Sequence, residues 1–329
     1  MKVAPSDIAG IVGILPAPSL PGADRWDVER TVDLDATAAM TERVRRGGVS
    51  ILMTGGSFGE GASLLDEESE ALTATVADTL RAHGGGLLFA GATTLNTRAT
   101  IRLARRLVDR GADGLFLGRP MWMALDGPGI VRFYADVAEA LPGVPIVVYD
   151  NEFAFKGRIE TATYAELARN PSIIATKHIG GPSMAADIEA AGEAMAVLPI
   201  DGQWGKVARS HPSVRACWTG NAADGTEPLI ALARAIERKD YDRAEAIGAR
   251  MWWAQAPMFP GGRLENFVDY NVPIAHGRLE GSGLVPTHGP RPPYLHAPDG
   301  YVEGGREVGR RWRVLVDEMR AEAVPGGNA

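Results

Sequence analysis

Pro145-Ile146-Val147-Val148-Tyr149 and Ile173-Ile174-Ala175-Thr176-Lys177 are short apolar runs, each closed by a side chain that can move a proton or form a bond. Continuous apolar runs of this length read as strands buried on both faces, the habit of parallel sheets. The same unit recurs in both directions along the chain. Before these two come residues 11–15, 49–53, 87–90 and 114–117; after them come 196–200 and 214–219. Helical patterns at 35–46, 66–81, 97–110, 128–140 and 161–169 separate the first six runs, and further helical stretches follow the rest. Eight strand candidates, spaced about 29 residues apart, predict eight βα units closed into a TIM barrel. A doubly wound sheet is the structural rival, but Leu15-Pro16-Ala17-Pro18 stands where its glycine-rich dinucleotide turn belongs.

Past residue 225 the rhythm changes. Patterns at 227–239, 241–254, 264–279 and 306–322 read as four helices, with the Pro-rich connector Pro286-Thr287-His288-Gly289-Pro290-Arg291-Pro292-Pro293-Tyr294 between the last two. The expected organisation is therefore a barrel core over 1–225 and a helical extension over 226–329 packed on it. The final Pro325-Gly326-Gly327-Asn328-Ala329 reads as a frayed tail.

Composition narrows the functional classes. The 329 residues are 45% hydrophobic and 23% charged, with a net charge of −7 and no Lys/Arg block. That balance argues against nucleic acid and anionic membrane as partners. Cys217 is a lone cysteine in an apolar run, so no internal disulfide forms. No apolar run reaches the roughly 18 residues of a membrane span, and Met1-Lys2-Val3-Ala4-Pro5-Ser6-Asp7 does not open like a signal peptide. A reducing cytoplasm is the expected compartment.

In such barrels chemistry sits where the strands end. Strand two ends in Thr54-Gly55-Gly56-Ser57-Phe58-Gly59-Glu60-Gly61; Asp150 and Asn151 follow Tyr149; Asp201 follows strand seven; Thr219, Gly220 and Asn221 close strand eight. Lys177 puts a lone cation at the end of a buried strand. Such a lysine is either a Schiff-base nucleophile, active as the neutral amine, or half of a structural ion pair with Asp201 or Glu60. Tyr149 is either a proton relay or a core tyrosine with a satisfied hydroxyl. The glycine turn is either an anion cradle of backbone N–H groups or merely a tight connection. Glu60, Asp150 and Asp201 can hold a hard cation, but no histidine pair has ligand spacing, so metal chemistry is poorly supported.

Taken together, these residues resemble the dihydrodipicolinate synthase / N-acetylneuraminate lyase family of class I pyruvate aldolases. Gly56-Ser57-Phe58-Gly59-Glu60 resembles the family's Gly-Thr-Thr-Gly-Glu turn, and Lys177 lies 28 residues after Tyr149, as the family lysine follows its tyrosine. Within the family the chain looks most like the hydratase-aldolases of aromatic-hydrocarbon degradation. Gly59-Glu60-Gly61-Ala62, Thr94-Leu95-Asn96-Thr97-Arg98, Leu117-Gly118-Arg119-Pro120-Met121-Trp122 and Arg291-Pro292-Pro293-Tyr294 carry that likeness.

The resemblance implies cleavage of a 4-aryl-2-oxobut-3-enoate to an aromatic aldehyde and pyruvate, with no cofactor beyond a covalent Schiff base on Lys177. It implies Tyr149 and Ser57 as catalytic partners. The N–H groups of Ser57 and Phe58 would hold the carboxylate with Gly56 also in the substrate site, Trp122 would face the aryl ring, and Asn151 and Asp201 would orient water or a ring substituent. Lys156 and Arg158, in the loop after strand five, meet a ring substituent or remain solvated. It also implies a homotetramer with a contact near Trp122. Phe58 and Trp122 depart from the family's threonine and tyrosine and make the mouth more aromatic; Asp150-Asn151-Glu152 departs from the run expected in the subgroup. The alternatives are another pyruvate aldolase or a sugar-acid dehydratase of the same family, and a non-catalytic oxoacid-binding protein.

Overall fold

The computed structural model describes residues 3–323. Met1, Lys2 and the tail at 325–329 lie outside the described residues. Eight strands form one parallel sheet: β1 (Gly10–Ile14), β2 (Ile51–Met53), β3 (Leu87–Gly91), β4 (Gly114–Leu117), β5 (Ile146–Tyr149), β6 (Ile173–Lys177), β7 (Ala196–Leu198) and β8 (Ala216–Thr219). β1 to β7 pair in sequence order, and β1 also pairs with β8. The remaining seam is closed beyond β7 by a bridge between Ile200 and Trp218, where Trp218 N–H donates to the Pro199 carbonyl at 2.9 Å.

Side chains alternate across this wall with period two. Val147 and Tyr149, Phe116, Ile51 and Met53, Phe89, Ala216 and Trp218 fill the barrel interior. Ile146 and Val148, Leu115 and Leu117, Leu52, Leu88 and Cys217 face the helical layer. Tyr149 is therefore an inward residue by register. Tyr149 and Lys177 are paired partners in adjacent strands, which puts both at one height on the rim.

Helices α1 (Leu34–Arg46), α2 (Asp66–Ala82), α3 (Thr97–Asp109), α4 (Gly127–Ala140), α5 (Thr161–Leu167), α6 (Met184–Ala191) and α7 (Asp201–Ser210) return the chain between strands. Asp33, Asn96 and Asp126 cap α1, α3 and α4 by accepting from the third backbone N–H of each helix at 2.8, 2.9 and 2.9 Å. The helix after β8 is α8 (Glu227–Glu237). One apolar cluster runs from the barrel's outer face through α8 into the later helices, which are thus continuous with the core.

The extension comprises α9 (Tyr241–Gln255), α10 (Leu264–Val268), α11 (Asn271–Ser282) and α12 (Tyr301–Ala323). The single helix expected over 264–279 is broken around Tyr270, and α10 and α11 turn over the barrel mouth. Backbones touch where α11 crosses α12: a Cβ on Gly281 would lie 2.0 Å from the Arg306 carbonyl, and one on Gly305 2.1 Å from that of Ile274. Glycine permits that approach of α11 to α12.

Candidate active site

A cavity of about 410 Å3 opens between the strand ends and the extension. Lys177 forms its floor. Lys177 is 5% exposed, and its amine is 4.9 Å from the centre of the Tyr149 ring and 3.9 Å from that of Trp218. Trp218 is held over it because its indole N–H donates to the His178 carbonyl at 2.8 Å. Neither ion pair open to Lys177 in the sequence forms. Glu60 is taken by Arg291 and His276, and Asp201 accepts from Thr219. Burial pushes the Lys177 pKa down to about 7, with the Asp150 carboxylate acting in the opposite direction. About half of the amine is then neutral at pH 7, against about one part in 2,500 for a solvated lysine.

Asp150 reaches Lys177 only through its field, since Arg119 (3.1 Å) and the Tyr164 hydroxyl (2.8 Å) occupy its oxygens. The phenol of Tyr149 is set between Ser57 Oγ at 2.8 Å and Asn151 Nδ2 at 3.0 Å. Asn151 has no freedom to flip: its Oδ1 accepts from the backbone N–H groups of Phe153 and Ala154, each at 3.2 Å. Its Nδ2 therefore donates to the phenol, leaving the phenolic proton for Ser57 or a bound molecule. Phe116 stacks on the Tyr149 ring at 4.5 Å and Phe155 meets it edge-on at 5.2 Å, which fixes its direction.

The glycine turn folds back on itself. A Cβ on Gly61 would lie 2.1 Å from the Gly55 carbonyl, and Gly55 has φ +68°. Among the described residues, the N–H groups of Ser57 and Phe58 donate to no protein acceptor, while Glu60 N–H is spent on the Ser57 carbonyl. Ser57 and Phe58 line the cavity, whereas Gly56 lies behind them, in a neighbouring recess.

Two expected contacts are corrected. Trp122 does not face the cavity: its ring is 74% exposed and its carbonyl accepts from Lys156 Nζ at 2.9 Å. Arg119 turns inward to Asp150, and Met121, not Trp122, lines the recess beside Tyr149. The aromatic wall is supplied instead by Trp218, Trp252, Phe259 and Phe267. Asp201 is fully buried behind the cavity wall and touches no space a ligand can enter; burial raises its pKa against four donors. One of these donors is Gln255 Nε2 at 3.4 Å, and another is Asn221 Nδ2 at 3.3 Å, so Asp201 orients two amides that do line the cavity. Lys156 and Arg158 are loop side chains away from it. Glu60, Asp150 and Asp201 are held apart by separate partners, and no metal-binding group of three His, Cys, Asp or Glu occurs among the described residues.

Gln255, Asn271, Arg278, Phe259 and Phe267 were not singled out in the sequence. The Pro-Gly-Gly break at 260–262 is the signal that the chain turns there and does not run on as helix.

The family model described as the dihydrodipicolinate synthetase family matches residues 13–198. The chain belongs to that family. Within this dihydrodipicolinate synthetase family, trans-2'-carboxybenzalpyruvate hydratase-aldolase of Nocardioides sp. (strain KP7) is 44% identical over 315 residues, covering 94% of each chain. Trans-O-hydroxybenzylidenepyruvate hydratase-aldolase of Pseudomonas putida is 35% identical over 319 residues, covering 95% of this chain and 96% of that one. The solved structure "PhdJ bound to substrate intermediate" superposes with a TM-score of 0.95 at 43% identity, covering 97% of this chain and 99% of that one.

The titration of Lys177 gives a direct prediction. Only the neutral amine attacks a ketone, so the rate of adduct formation rises with pH through about 7 and levels off above it. Borohydride trapping of pyruvate, followed against pH, should show that inflection. A rate still climbing towards the pKa of about 10.4 of a solvated lysine would contradict it.

Proposed function

We propose that the protein is a class I hydratase-aldolase that converts a 4-aryl-2-oxobut-3-enoate to an aromatic aldehyde and pyruvate. The observation that carries this is a lone buried amine sharing one wall with the Tyr149–Ser57 pair, beneath a cavity walled by aromatic rings. The named relatives act on benzalpyruvates by their own descriptions, and an apolar, flat-sided cavity suits an aryl group better than a polyhydroxylated sugar acid.

In this reading the N–H groups of Ser57 and Phe58 hold the substrate carboxylate. Lys177 attacks the C2 ketone and expels water, giving a protonated imine conjugated with the C3–C4 double bond. Water adds at C4 and gives up a proton to solvent, the electron pair moves towards nitrogen, and C3 takes up the phenolic proton of Tyr149. The Tyr149 oxygen then removes the proton from the C4 hydroxyl. The C3–C4 bond breaks, the aldehyde leaves, and its electron pair forms an enamine on C3. Protonation of C3 and hydrolysis release pyruvate and the free amine. The imine nitrogen is the electron sink, so the cycle requires no metal or vitamin cofactor. Gln255, whose Nε2 donates to Asp201, lines the cavity, where its side-chain amide can orient the water. The same reading carries a cytoplasmic homotetramer acting in aromatic-hydrocarbon breakdown, with the exposed Trp122 and Met123 as the apolar surface offered to a second subunit.

The test is turnover of trans-2'-carboxybenzalpyruvate and trans-o-hydroxybenzylidenepyruvate, read as loss of the conjugated chromophore with equal amounts of aldehyde and pyruvate appearing. Turnover of aspartate semialdehyde or sialic acid in preference to both would overturn it.

A further inference from the structure

Glu60 is the one carboxylate of the glycine turn, and it is gripped entirely by the C-terminal segment. Its Oε1 accepts from Arg291 Nη1 at 2.6 Å and from His276 Nε2 at 2.8 Å, and its Oε2 accepts from the Arg291 backbone N–H at 3.0 Å. Glu60 and Arg291 are 3% and 1% exposed. Arg291 spends all five of its N–H groups. Besides Glu60 they reach Thr31 Oγ1 (2.6 Å) and the carbonyls of Ala17 (3.1 Å), Pro18 (3.2 Å) and Thr31 (2.9 Å). A fully satisfied buried guanidinium is a rigid brace, and here it ties the loop after β1 to the turn after β2. Glu60 itself has φ +50°, a conformation an L residue rarely adopts unless its surroundings impose it. Burial alone would raise its pKa, but the hydrogen bond and charge of His276 and the charge of Arg291 hold it below the usual range.

The turn transmits this grip to the cavity. Glu60 N–H donates to the Ser57 carbonyl at 3.1 Å, and that peptide unit carries the Phe58 N–H. We propose that Arg291 and His276 are positioning residues that act through Glu60 to hold the carboxylate-binding face of the turn, so that the C-terminal segment sets the affinity for the keto acid. The inference rests on the keto-acid reading above and adds to it a role for the Pro-rich connector and α11. Lys177 and Trp218 lie outside the brace, and Tyr149 touches the turn only through Ser57 Oγ, so loosening it weakens capture of the keto acid and leaves attack by the amine intact.

The experiment measures borohydride trapping of pyruvate as a function of pyruvate concentration, for the full chain, Glu60→Gln and His276→Leu. Glu60→Gln keeps the shape but turns an amide donor towards donors; His276→Leu removes a single anchor and serves if the first variant fails to fold. The expected result is a rise in half-saturation of about tenfold, the worth of a hydrogen bond to a buried charge, with the limiting trapping rate within about twofold. His276→Gln, which keeps a donor for Glu60, should restore most of the loss. Unchanged half-saturation in a folded variant overturns the proposal, and so does a fall in limiting rate alone. If the unaltered protein does not trap pyruvate on Lys177, the keto-acid reading itself fails, a separate result from either of these.

Discussion

Lys177→Met abolishes turnover while leaving a folded protein that melts no lower than the parent at pH 7. The chemical loss follows from removal of the buried amine on the cavity floor, without which neither hydration nor carbon–carbon cleavage has an electron sink; a fall of about 10^4-fold or more is expected. The stability result follows from the same burial. The folded-state pKa of about 7 lies below that of the unfolded chain, so folding expels a proton that the unfolded lysine retains. That penalty is absent at high pH, where the amine is neutral in both states. It grows as pH falls towards about 7 and is constant below. An apolar side chain of similar length escapes it. Steady-state turnover and a thermal melt on one preparation separate the two effects. A variant that turns over appreciably, or one that loses activity only by unfolding, contradicts the assignment.

Tyr149→Phe carries the second-largest expected effect. The phenol oxygen is the meeting point of Ser57 Oγ and Asn151 Nδ2, and it stands on the strand beside Lys177. Its loss removes the group placed to take the C4 hydroxyl proton, for which a fall in kcat of about 10^2- to 10^4-fold is expected. Phe116 and Phe155 pack on the ring and not the hydroxyl, so phenylalanine keeps the packing. Pyruvate still forms an adduct on Lys177 in this variant, at a reduced rate. Turnover equal to the parent's removes Tyr149 from the mechanism; adduct formation lost in step with turnover makes it a structural residue.

These two residues were legible in the sequence for one physical reason. A strand buried on both faces leaves no room for a polar side chain except at its rim, so Tyr149 and Lys177 at the ends of unbroken apolar runs announce the mouth of the barrel. The strands themselves stand out in the same way; the run at 114–117 coincides with β4. What the pattern leaves undetermined is which surface covers which. Helical periodicity shows that residues 264–279 have a buried face, but not that the chain breaks near Tyr270 and lays Phe267, Asn271 and Arg278 over the cavity. Trp218 reads as strand core, and its position over Lys177 depends on the barrel seam closing at Ile200. Trp122 reads as a mouth residue because of its place in the chain, yet it is exposed while Arg119, three residues earlier, is buried against Asp150. Glu60 and Arg291 are 231 residues apart, and no local rule joins them.

Mass spectrometry of the protein treated with pyruvate and borohydride, followed by peptide mapping, tests the central assignment most directly. The account predicts one reduced pyruvate per chain, on the peptide that contains Ile173-Ile174-Ala175-Thr176-Lys177. A modified peptide elsewhere, or none at all from protein that cleaves a benzalpyruvate, would contradict it.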